Sequence, residues 1–154
     1  MSKDTKFESE NLDEEQERTL NVLLNLFIPP SEDGKIPGAA DVGFLAYIHN
    51  ENILPWIIEG LKNIIEESHN NYGQELSALS SSIQMELIDN LRRKFLQFFK
   101  HLTTLVMQCY YQHDDVLVKI GLEARPTFPE GYRIVEGDLT LLEPVYLRGK
   151  IYRE

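Results

Sequence analysis

Apolar residues recur every three or four positions through most of the first 120 residues, the spacing of one helix face. The first such stripe is Leu20, Leu23, Leu24, Phe27 and Ile28. Asp13-Glu14-Glu15-Gln16 precedes it and reads as a capping box, in which Asp13 accepts from a free backbone N–H and Gln16 reaches back. Acids in that first turn suit the helix dipole. Pro29-Pro30 ends the helix, because neither ring can donate to the ladder. A loop follows over residues 31–38, with turns at Asp33-Gly34 and Pro37-Gly38. Ala39 to His49 is expected as one short helix with Val42, Leu45, Ala46 and Ile48 inward. Asn52 is expected to cap the next helix, with Pro55 in its first turn. Ile57, Ile58, Leu61, Ile64 and Ile65 form its stripe, and Asn70-Asn71-Tyr72-Gly73 ends it.

The longest pattern comes next: Leu87, Leu91, Phe95, Phe98, Phe99, Leu102, Leu105, Val106, Cys109 and Tyr110. Ser81-Ser82-Ile83-Gln84 offers a second capping box at its start. The segment is long for one globular helix, so a bend or break is expected near Lys94. Asp114 is expected to cap a final short helix ended by Gly121.

After Glu123 the periodicity stops. Arg125-Pro126 and Phe128-Pro129 disfavour helix before each proline. The segment is nonetheless rich in apolar and aromatic residues and cannot build a core alone. It either wraps back over the helices or lies in a groove of another protein. Aromatic anchors and arginines suit the second reading. Phe128, Tyr132, Leu139, Leu142, Tyr146, Arg148, Ile151 and Tyr152 are therefore candidate contact residues. The loop prolines and glycine, Pro29, Pro30, Pro37 and Gly38, offer a second contact or fix the angle between helices. The turn itself accounts for them, which favours the structural role.

The expected architecture is all-α: a compact bundle of about five helices with a long irregular, partner-wrapping tail. Its divisions are an acidic flexible arm over 1–12, a helical domain over 13–122, and a Pro/Gly/aromatic tail over 123–154. The length, 154 residues, fits one domain.

Charge narrows the function. The net charge is −10, and residues 1–17 carry half of it. Nucleic acid and anionic membrane surfaces are unfavourable partners for such a chain. The single cysteine, Cys109, excludes an internal disulfide and a cysteine-based zinc site, and its place in an apolar stripe points to the core. No stretch approaches a membrane span, and the first 30 residues show neither a basic-then-apolar leader nor a twin-arginine pair. A cytoplasmic location is expected, and a periplasmic one only through export with a partner.

Catalytic chemistry is not signalled. There is no G-x-G-x-x-G, and Gly34-Lys35-Ile36-Pro37-Gly38 lacks the phosphate-loop spacing. His49, His69, His101 and His113 form no metal motif, and His113-Asp114-Asp115 reads as a helix start. Glu66-Glu67 and Asp114-Asp115 are sequence neighbours, which do not face one another on a helix. Ser80, Ser81 and Ser82 read as caps.

Certain features combine. Leu26-Phe27-Ile28-Pro29-Pro30, then Pro37-Gly38-Ala39-Ala40-Asp41-Val42-Gly43, then a long helix closing in Cys109-Tyr110-Tyr111, resemble the small subunit of gluconate 2-dehydrogenase, the subunit 3 family. The likeness runs from about Leu20 to Gly121. It implies a small helical protein without catalytic residues or a cofactor of its own. The implied partner is a large FAD-containing oxidoreductase of the glucose-methanol-choline type, joined in some complexes by a cytochrome c subunit. The implied role is to bind and stabilise that flavoprotein. Two departures stand out: the absence of a twin-arginine leader, and Gln112-His113-Asp114-Asp115 where family tails run through a Tyr-Gly-Gly-Asn type motif. Trp56 is the only tryptophan. A helical adaptor or folding factor for an unrelated protein is the alternative.

Overall fold

In the computed structural model, residues 11–50, 53–124 and 137–149 are described. The chain forms two units, residues 1–124 and 125–154. The described residues are all-helical, as the periodicity predicts. The first unit holds α1 (Glu14–Phe27), α2 (Phe44–Asn50), α3 (Leu54–Tyr72), α4 (Ser81–Lys94), α5 (Leu96–Gln112) and α6 (Asp114–Lys119), and the second holds α7 (Glu143–Arg148).

The α1 capping box forms as expected. Gln16 N donates to Asp13 Oδ1 at 2.8 Å, and Asp13 N donates to Gln16 Oε1 at 3.1 Å. Leu12, assigned to the polar arm, is instead buried in the core. The expected single helix over 39–49 is divided. A 3₁₀ turn spans Ala39–Asp41, and Gly43 at φ +71° breaks the run before α2. That left-handed residue shifts the register, so Phe44 is buried and Ala46 is exposed. Asn52 lies outside the described residues, and the position capping α3 falls on Ile53. Gly73 closes α3 in the left-handed conformation, its N–H donating to His69 O, where the sequence places the end.

The break near Lys94 is present. Phe95, at φ −117° and ψ 45°, separates α4 from α5. The second capping box does not form. The residue capping α4 is Ser80, whose side chain makes no cap bond, and Gln84 turns away to donate to Leu76 O at 3.0 Å. Leu76 is fully buried in a 3₁₀ turn over Leu76–Ala78, so Gln84 secures that turn rather than the helix start. At α6 the capping position is His113, not Asp114, and it too makes no side-chain cap bond.

The core gathers Leu20, Leu23 and Leu24 of α1, Ile57, Leu61 and Ile64 of α3, Leu87, Ile88 and Leu91 of α4, and Phe99, Leu102 and Val106 of α5. Cys109 is buried as expected, and burial pushes its thiol above the ordinary value. Residues 137–149 depart from the irregular chain expected there: a 3₁₀ turn over Leu139–Leu142 runs into α7.

Candidate functional site

The loop between α1 and α2 is built from internal bonds. Ala39 N donates to Ile28 O at 2.9 Å, and Ser31 N donates to Ile36 O at 3.0 Å, which ties the two proline turns side by side. Ser31 Oγ accepts from Ile36 N at 2.9 Å, and Asp41 Oδ2 accepts from Gly38 N at 2.9 Å. Gly38 is buried, and a Cβ there would stand 2.9 Å from Pro30 Cδ and 3.2 Å from Asn25 Oδ1. Only glycine fits that crossing. Pro29 and Pro30 are exposed and Pro37 is half-buried.

Tyr110 locks this loop to α5. Its hydroxyl donates to Pro37 O at 2.8 Å across the body, and burial pushes the phenol above its ordinary value. One residue earlier, the Cys109 thiol lies 3.9 Å from Val42 O. The two sequence motifs, Pro-Gly-Ala-Ala-Asp-Val-Gly and Cys-Tyr-Tyr, therefore meet in space and hold each other.

An aromatic group joins α3 to α5. The Trp56 ring lies 4.9 Å from Phe98 and 4.7 Å from His101, centre to centre. Phe98 reaches this place by lying directly on the backbone of Gly60, where any Cβ would collide with its ring. Trp56, Phe98 and His101, with Gln97, Lys100 and Thr104, line an open hollow of about 350 Å³. A second hollow of about 430 Å³, lined in part by Arg92, Leu96, Phe99 and Thr103, lies across Gln97, Lys100 and Thr104 from the first. The sequence pattern does not reveal this group, because its members lie about 40 residues apart and His101 reads as a surface residue.

Ion pairs brace the outside. Arg18 grips Glu75 through two bonds of 3.0 and 3.1 Å, holding that carboxyl below its ordinary value. Lys94, beside the α4–α5 break, pairs with Glu67 of α3 and lowers its carboxyl likewise. Glu15 and His69 lie 2.6 Å apart. Among the described residues no three His, Cys, Asp or Glu side chains converge as metal ligands.

The tail candidates divide. Phe128, Tyr132, Ile151 and Tyr152 lie outside the described residues. Leu139 and Leu142 sit in the 3₁₀ turn and Tyr146 and Arg148 in α7, all exposed. Asp138 opens the turn by accepting from Thr140 N at 3.0 Å. Leu139 is 74% exposed, Tyr146 75% and Leu147 87%, and Leu141 and Val145 are also open. No residue of this segment is buried.

The sequence model of the family described as gluconate 2-dehydrogenase subunit 3 matches residues 14–123. The chain belongs to that family. No curated protein and no solved structure matches it. The matched range begins with α1 and ends just past α6, so it takes in the loop, the Tyr110 lock and the Trp56 group. Family membership thus speaks for the helical body, and the tail's role rests on its own chemistry. The family's description is that of one subunit of a dehydrogenase. Among the described residues no helix is long and apolar enough to cross a membrane.

Proposed function

We propose that this chain is a non-catalytic subunit that binds and stabilises a large FAD-dependent oxidoreductase of the glucose-methanol-choline type. Its tail, residues 125–154, is the main contact. Family membership supports the dehydrogenase complex. The observation that carries the binding role is the exposure of residues 139–147. Leu139, Leu141 and Leu142 of the 3₁₀ turn and Val145, Tyr146 and Leu147 of α7 are all exposed in one short segment. Large apolar side chains left open together in this way support a protein interface. FAD and the catalytic groups belong to the partner in this reading, and the chain contributes surface and stability. A cytochrome c subunit is a further member where electrons leave the complex.

The test is native capture from the source cells with a tag on the acidic N-terminus, followed by mass spectrometry and a visible spectrum. A large flavin-bearing protein recovered with the chain is the expected result. A partner without flavin, or a solitary chain, would overturn the reading.

A further inference from the structure

Charged groups from three parts of the chain meet where α1 begins and α3 ends. Glu14, Glu15 and Arg18 come from α1, His69 from the last turn of α3, and Glu75 from the connection to α4. Arg18 bridges Glu14 at 3.4 Å and Glu75 at 3.0 Å. His69 Nε2 lies 2.6 Å from Glu15 Oε1. The Arg18 and Ser77 bonds do most to hold the Glu75 carboxyl below its ordinary value, and a charged His69 adds to their effect. The imidazole is therefore within electrostatic reach of both carboxylates. Two further acids stand near it: Asp13, engaged in its capping bonds with Gln16, and Glu66, one turn earlier on α3 and exposed.

His69 also fastens the α3–α4 connection. Its carbonyl accepts from Gly73 N at 2.9 Å, and its neighbour Ser68 donates through Oγ to Gln74 O at 2.8 Å. Glu75 then precedes the 3₁₀ turn whose Leu76 is fully buried. One residue thus holds the connection through its backbone and α1 through its side chain. Histidine is the side chain whose charge changes near neutral pH, whereas Arg18 stays charged there and the acids named above stay ionised. The pair is half-open to solvent, so protons reach it freely.

We propose that Glu15, His69 and Glu75 form a proton-operated clasp that tightens the α3–α4 connection against α1 when the imidazole is charged and loosens it when the imidazole is neutral. A charged imidazole gains carboxylate partners on folding, so its contribution is full on the acid side of the histidine range and is lost as pH rises through it. The neutral ring keeps one N–H to donate to Glu15, so the clasp slackens without opening outright. The device belongs to the helical body and stands independently of what the tail binds.

The test compares the full wild-type chain with His69→Gln and Glu15→Gln from about pH 5.5 to about pH 8, which brackets the ordinary imidazole value of about 6.5. Amide exchange, corrected for the intrinsic effect of pH, is read at Gly73, Ala78 and Leu79, whose N–H groups bond within this corner. Wild-type protection there should fall roughly two- to fivefold across that range, the effect of one exposed ion pair. Both variants should show a flatter response. His49, His101 and His113 remain in all three chains, so any response of theirs cancels in the comparison. Wild-type protection that does not change with pH would overturn the clasp, as would an equal response in wild type and His69→Gln. A second reading needs no variant: high salt should shrink the wild-type response by screening the charges. A response that salt leaves unchanged would overturn the proposal as well.

Discussion

The body and the tail use similar side chains to opposite effect. In α3, Ile57, Leu61 and Ile64 are fully buried because α1 and the rest of the body supply their surroundings. In residues 139–147, leucine, valine and tyrosine are just as dense, yet all are open. Composition does not separate the two regions. What separates them is whether the apolar residues keep to one face with partners available. The α3 stripe leaves its other side to Glu59, Lys62 and Glu66, whereas Val145, Tyr146 and Leu147 of the short tail helix, set between Glu143 and Arg148, are all exposed. The first pattern builds a core, and the second leaves its apolar residues open.

The sharpest way to break that contrast is a pair of leucine deletions. Leu61→Ala should destabilise the body by roughly 2–5 kcal/mol through lost contacts and a residual cavity. Leu147→Ala should change it by less than about 0.5 kcal/mol while weakening partner capture. Urea unfolding of both variants measures this, and a large loss of stability in Leu147→Ala would mean the tail belongs to the core.

Gly60→Ala comes next. The new methyl must evict the Phe98 ring, so roughly 1–3 kcal/mol of stability should go. Trp56 fluorescence should shift, because its stacking neighbour moves. An unaltered emission spectrum would contradict the close contact. Tyr110→Phe removes the hydroxyl that holds Pro37 O and should cost about 0.5–1.5 kcal/mol. Faster amide exchange at Ala39, whose N–H lies in the loop that Tyr110 secures, is the local readout.

The smallest effects come from titration. Glu67 and Glu75 have lowered carboxyl values, so their stabilisation is full above the ordinary value of 4.5. It fades as pH falls through their lower folded values. Both pairs are exposed enough for solvent to screen them, so the slope should be shallow and should flatten further in salt. The Cys109 thiol runs the other way. Its raised value favours the folded state below the ordinary 9.0, and that contribution is lost as pH rises through the folded value. Alkylation of Cys109 in the native chain should accordingly be slow and should follow unfolding.

Much of the body was legible in sequence. Asp13 and Gln16 form their capping box, Gly73 stops α3, and the long apolar run breaks at Phe95. These are local matters, settled by spacing and by residues within a turn of one another. The errors have a common cause in contacts from farther along the chain. Gln84 has the right place for a capping box but is taken by the Leu76 carbonyl. Ala46 has the right spacing for the core, but Gly43 rotates the helix and presents Phe44 instead. Gly38 reads as a turn residue, and its deeper reason is the ring of Pro30 pressed against it. The Trp56, Phe98 and His101 group has no local signature. The tail was legible as apolar chain needing cover, but its helical turn at 139–148 was hidden by Pro126 and Pro129 upstream and by Pro144 within it, which the first turn of α7 accommodates.

The central claim is that an apolar tail tethers a helical body to a flavoprotein. The most direct measurement is the affinity of that flavoprotein for the full chain and for a chain ending at Glu123, with the melting temperature of each. Among the described residues the buried core lies between Leu12 and Val116, so the shortened chain should keep its Tm. Its affinity should fall by at least about a hundredfold, the loss of more than one interface anchor. Equal affinity for the two chains would contradict the account, and a collapsed Tm would show instead that the tail completes the body's own core.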